Sequence, residues 1–140
     1  SGIKFLDNAR LGDPESEVII PRIKSDLFDL LEGVAEGNLS KRTLEFSGDY
    51  VTTVMLVSGG YPGNYEKGKE ISGLSAADGS IVFHAGTKLS GGKVVTSGGR
   101  VLAVTASGPT LGDALKRSYY NAKSISFENI YYRTDIGFDL

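Results

Sequence analysis

At 140 residues and 40% hydrophobic, the chain is the size of one domain and holds enough apolar residues for one buried core, which excludes an extended disordered polymer. Fifteen basic against 17 acidic residues leave a formal net charge of −2, so no broad positive field exists to hold a phosphate backbone, and nucleic acid is not an expected partner. The absence of cysteine removes disulfides, thiolate metal sites and cysteine nucleophiles together and fits a cytoplasmic location; no apolar run approaches the roughly 20 residues that span a bilayer, so no membrane is expected either.

Residues 1–4 carry neither the apolar stretch nor the cleavage site of a secretory signal. Residues 3–6 read as the end of a strand that runs directly into a dense motif, as if the chain were entered partway through a longer protein. Residues 7–17 form a polar turn in which Asp13, before Pro14, is biased toward extended geometry and is placed to cap the amides that follow. Pro21 can open a helix; Ile23, Leu27, Leu30, Leu31 and Val34 then recur at helical spacing and Gly37 supplies a stop, which predicts an amphipathic helix of about four turns. Beyond Gly37 the texture changes to β-branched and apolar runs between glycine turns. Strands are predicted at 43–46, 50–57, 81–85, 93–96 and 101–106, with Gly91-Gly92 and Ser97-Gly98-Gly99 as tight connections. Thr110 caps a second helix with the stripe Leu111, Ala114, Leu115, Tyr119 and Ala122, and residues 130–138 read as a final strand. The fold class is α+β.

Several segments invite chemistry. His84 has no cysteine and no second histidine to join it, which removes a metal triad and a Cys-His pair and favours a packing or hydrogen-bonding role. Gly63-Asn64-Tyr65-Glu66-Lys67-Gly68-Lys69 has the spacing of a phosphate loop, but Glu70 replaces the Ser or Thr that would hold Mg²⁺ and no helix follows. Ser58-Gly59-Gly60-Tyr61-Pro62-Gly63 fixes an unusual backbone path, and ligand approach and simple chain reversal stand even. Asn8-Ala9-Arg10-Leu11-Gly12-Asp13-Pro14-Glu15-Ser16-Glu17 is the richest: an amide oxygen, a guanidinium fork and three carboxylates can hold a hard cation and an anionic substrate together. A capped turn with an exposed salt bridge accounts for the same residues.

Arg10-Leu11-Gly12-Asp13-Pro14-Glu15-Ser16-Glu17 resembles the signature of the phosphoribosylamine-glycine ligases, and Pro21-Arg22-Ile23-Lys24-Ser25-Asp26-Leu27 follows it in the family's order. Gly59-Gly60-Tyr61-Pro62-Gly63, Tyr65-Glu66-Lys67-Gly68, Val82-Phe83-His84-Ala85-Gly86-Thr87, Gly98-Gly99-Arg100-Val101-Leu102 and Tyr132-Arg133-Thr134-Asp135-Ile136-Gly137 continue the likeness over nearly the whole chain. The resemblance implies an ATP-grasp ligase acting on ATP, glycine and 5-phosphoribosylamine, with Mg²⁺ or Mn²⁺. Residues 1–37 would be the end of the ATP-grasp domain, a strand plus a helix. Residues 38–140 would be a small barrel-sandwich-like antiparallel β domain with one helix, and the N-terminal and remaining ATP-grasp parts would lie elsewhere in the same protein. By the same resemblance Asn8 is the metal ligand, although the glutamate expected two positions earlier is Leu6 here and only Asp7 offers a carboxylate nearby. Arg10 is the catalytic and substrate-binding residue. Asp13 and Glu15 fit orientation of the amine and of Arg10, with helix capping equally good; Lys24 fits the phosphate side, with a solvated helix lysine equally good. A stand-alone β-rich binding module derived from such a ligase is the other reading.

Overall fold

The structure, a computed structural model, describes residues 11–138. The predicted strand at 3–6 lies outside the described residues. The first described elements are a single helical turn, α1 (Ser16–Ile19), continued by a 3-10 turn over Ile20–Arg22 with Pro21 in its first turn. Here the structure corrects the sequence reading of a four-turn helix. Ile23 is extended (φ −72°, ψ 120°) and bridges Phe46, and the crossing is fixed by Lys24 N–H to Glu45 O (2.8 Å) and Ser47 N–H to Arg22 O (2.7 Å). A strand-like crossing at Ile23 cannot also be helix, so helix α2 (Leu27–Ala35) starts at Asp26, whose carboxylate accepts from Phe28 N–H (2.8 Å) and Asp29 N–H (3.2 Å). Gly37, at φ +68°, stops it as expected. Of its apolar side chains only Leu30 is buried, while Phe28, Leu31 and Val34 are exposed.

The core is built on two nine-residue strands, β1 (Tyr50–Ser58) and β5 (Arg100–Gly108), paired antiparallel along their length. Burial alternates along β1, with Thr52, Val54, Leu56 and Ser58 inward, the two-residue period of a strand with one covered face. The β5 strand is buried almost throughout and pairs β2 (Ile81–His84) on its other edge, giving the order β2-β5-β1-β6 with β6 at Ile130–Tyr131. Between Leu56↔Leu102 and Val57↔Arg100 the register shifts, leaving Val101 as one extra residue on β5.

Helix α3 (Leu111–Ser124) begins at Thr110, whose hydroxyl accepts from Asp113 N–H (3.1 Å), and lies over this sheet. Its buried side is Ala114, Ser118, Asn121 and Ala122; Ala114 and Ala122 belong to the predicted stripe, and Tyr119 packs partly buried against the core. Small side chains let the helix approach closely enough for Ser118 Oγ to hydrogen-bond Thr52 Oγ1 (3.0 Å). Val54, Leu56, Ile71, Leu102, Val104 and Phe127 fill the centre of the core.

A separate hairpin pairs β3 (Thr87–Ser90) with β4 (Lys93–Thr96) around Gly91 and Gly92, both at positive φ (58° and 77°), the turn the two glycines predicted. The predicted strand at 43–46 reduces to the single Ile23–Phe46 bridge, and that at 130–138 to the two residues of β6. Antiparallel β structure with one long helix therefore follows residue 38.

Candidate functional site

Asn8 and Arg10, the expected metal ligand and catalytic residue, lie outside the described residues, as do Leu6 and Asp7. The rest of the signature turn is defined by its own backbone. Gly12 O accepts from both Ser16 N–H (3.0 Å) and Ser16 Oγ (2.6 Å), which closes residues 12–16 into a tight loop leading into α1. The carboxylate of Glu15 folds back over Gly12, where any β-carbon would collide with Glu15 Oε2. Asp13 does not cap α1, since the residue in the cap position is Glu15 and no side chain there receives the amides. Instead Asp13 binds Arg100, 87 positions along the chain: guanidinium NH1 donates to Asp13 O (2.7 Å) and NH2 approaches Asp13 Oδ2 (3.0 Å). Lys24 sits apart on the extended segment beside Glu45, exposed and with no ion pair among the described residues.

Sequence reasoning did not single out Arg100 as a site residue. Its signals were its place in the family-like run Gly98-Gly99-Arg100-Val101-Leu102 and its position directly after two glycines at the start of a strand. Gly98 and Gly99 are there because of close approach: a β-carbon on Gly99 would strike the Tyr61 ring, and Gly98 lies against Gly86. Ser58 fastens the same corner, its N–H to Gly99 O (2.8 Å) and its hydroxyl to Gly98 O (3.0 Å).

The loop at 58–63 therefore packs on the start of β5, and it also borders a cleft of about 320 Å³ lined by Ser58, Asn64, Tyr65, Glu66, Lys69 and Glu128. Lys69 Nζ lies 2.6 Å from Glu66 and 3.0 Å from Glu128. The hydrogen bond that Lys69 donates to Glu66, with the one it donates to Glu128, raises the Lys69 pKa, and the first of these lowers that of Glu66. A lysine held by two carboxylates has no spare charge for a phosphate, and the segment after it runs along β4 through the Glu70–Val95 bridge instead of opening a helix. His84 is exposed, with Nδ1 2.9 Å from Thr87 Oγ1. Among the described residues no three His, Asp or Glu side chains converge on one point.

Residues 51–139 match the family described as phosphoribosylglycinamide synthetase, C domain. The chain is 45% identical over 136 residues to a phosphoribosylamine-glycine ligase of Caldanaerobacter subterraneus subsp. tengcongensis, a match that covers 96% of this chain and 33% of that protein. It is 46% identical over 142 residues to the trifunctional purine biosynthetic protein adenosine-3 of Homo sapiens, covering 99% of this chain and 14% of that one. The crystal structure of a Thermotoga maritima phosphoribosylamine-glycine ligase is similar with a TM-score of 0.74 at 34% identity, over 91% of this chain and 32% of that chain. The chain thus spans about a third of the length of the single-function ligases it matches.

Proposed function

The chain belongs to the phosphoribosylglycinamide synthetase C-domain family, and from that premise we propose that it is the C-terminal portion of an ATP-dependent ligase joining glycine to 5-phosphoribosylamine in de novo purine biosynthesis. The observation that carries this reading is one continuous match, nearly end to end in this chain, to a third of proteins named for that activity. In the proposed reaction the glycine carboxylate takes the γ-phosphate of ATP to form glycyl phosphate. The amine of phosphoribosylamine attacks its carbonyl carbon and phosphate leaves, giving glycinamide ribonucleotide, ADP and phosphate.

Both steps gather negative charge on a small group, which a planar guanidinium fork holds better than a point charge, and that is the role proposed for Arg10. Asn8 would offer an oxygen to Mg²⁺ or Mn²⁺. Among the described residues no cluster of three His, Asp or Glu side chains completes such a site. Glu15 and Lys24 remain proposed substrate-side residues.

The proposal includes the domain division, with residues 1–37 ending an ATP-grasp domain and 38–140 forming a barrel-sandwich-like β domain, and it includes a cytoplasmic location. The apolar side chains that α2 leaves exposed, Phe28 at 74%, Leu31 at 59% and Val34 at 60%, support a covering part of the same protein over a module that stands alone. No described helix is long and apolar enough to cross a membrane. The test compares the complete protein and the 140-residue chain, each supplied with ATP, Mg²⁺, glycine and phosphoribosylamine. Glycinamide ribonucleotide is expected from the first and not the second. No product from the complete protein, or enzyme-like turnover by the chain alone, would overturn the reading.

A further inference from the structure

We propose that Arg100 is a positioning residue for the signature turn, gripping the backbone and carboxylate of Asp13 so that strand β5 sets the path of residues 12–16. The proposal rests on the ligase reading above. Its first support is the form of the contact. One guanidinium donates to the main-chain oxygen of Asp13 (2.7 Å) and meets its carboxylate (3.0 Å), so it fixes the path of the chain as well as the side chain. Lysine keeps the charge but lacks the rigid planar fork that presents two N–H groups in fixed directions to these two acceptors.

The second support is how firmly the arginine itself is held. It opens β5 opposite Val57, at the register shift, and a bulge of this kind re-aims the side chains beside it. The two preceding carbonyls, of Gly98 and Gly99, are both bound by Ser58, and the following one, of Val101, receives Ala85 N–H (3.1 Å) and Gly86 N–H (3.0 Å). Arg100 therefore projects from a corner fastened on both sides. A consequence follows for Asp13, whose carboxylate is engaged by Arg100 and acts through the turn.

The pair is partly exposed, at 37% and 47%, so its contribution to stability is small and its effect should fall on turnover. In the complete protein, Arg100→Gln should lower kcat about 10- to 100-fold, the scale of a misplaced catalytic group, with KM for ATP and the melting temperature little changed. Arg100→Lys should recover only part of the loss. Because Asp13→Asn alters only the carboxylate half of the contact that Arg100→Gln abolishes, the double variant should be no slower than Arg100→Gln. Amide exchange gives a readout that does not need the ligase reaction: the N–H groups of Ser16 and Glu17, bound to Gly12 O and Pro14 O, should exchange faster in Arg100→Gln. Parent-like kcat in Arg100→Gln, additive losses in the double variant, or unchanged exchange overturns the proposal. If the parent makes no product, the ligase reading fails; accelerated exchange then leaves the contact as a structural tie and overturns its positioning role in that reaction.

Discussion

Arg100 and Arg10 would act on the same turn by different means, one through the backbone and the other on the substrate, and conservative substitution separates them. Arg10→Lys in the complete protein should raise the barrier by about 2.7 to 4 kcal/mol although the charge is kept, because a fork that stabilises developing charge is lost. Steady-state kinetics beside a melting curve decide this: if Arg10 merely pairs with a surface carboxylate, turnover is untouched and stability changes by about 0 to 1 kcal/mol. Titration supplies another residue-scale test. Glu66 is lowered by its hydrogen bond to Lys69, and Asp135 by its bond to Arg133. For a lowered carboxylate the stabilisation is present above the unfolded pKa and fades as pH falls through the folded one. For Lys69, raised by Glu66, it is present below the unfolded pKa and lost only as pH rises through the raised value. Carboxylate NMR should show Glu66 titrating below the ordinary range in the parent and returning toward it in Lys69→Met; an unchanged midpoint would refute the coupling.

At the scale of elements, the corner where β2, β5 and the 58–63 loop meet is the least tolerant place in the fold. A β-carbon on Gly86 would lie 2.3 Å from Arg100 O and 2.8 Å from Gly98 Cα, both backbone atoms that cannot swing aside. Gly86→Ala should therefore cost about 1 to 3 kcal/mol, in the range of overpacking, whereas Gly48→Ala, with open space around it, should be neutral or stabilising by about 0.4 to 1 kcal/mol. Urea denaturation of both variants checks the contrast, and equal stabilities would deny the close approach. The elements that were legible in the sequence were those whose signals are local. Gly91-Gly92 gave the hairpin turn, Thr110 the cap of α3, and the β-branched run from Val51 to Val57 the strand β1. The misreadings share a cause in contacts between distant segments. Ile23 fits the helical period but is drawn into a bridge with Phe46, Asp13 looks like a cap but is taken by Arg100, and beyond the paired Ile130 and Tyr131 the residues Tyr132 and Ile136 pack on the core without pairing. Strand β3 escaped notice because Lys88 and Leu89 are both exposed and give no alternation.

For the whole molecule, the question is what covers α2. Its polar side is well organised, with Arg42 reaching Asp29 and Glu36 across the helix, while its apolar side faces outward at Phe28, Leu31 and Val34. A helix ordered by its cap and ion pairs but unburied on its apolar face is expected at an edge where another part of the protein docks. The chain spans about a third of the ligases it matches, so the proposed cover is the remainder of the same polypeptide. Phe28 makes this measurable, because its ring is 74% exposed here and touches little that its removal would disturb. Phe28→Ser in the 140-residue chain should change stability by no more than about 0.5 kcal/mol, as for an ordinary surface position. In the complete protein the same change should cost about 3 to 5 kcal/mol, the range for truncating a buried aromatic ring. Denaturation of both pairs under one set of conditions reads the difference directly. Equal small effects in the two contexts would mean that nothing covers α2, and the assignment of residues 1–37 to a preceding domain would fall with it.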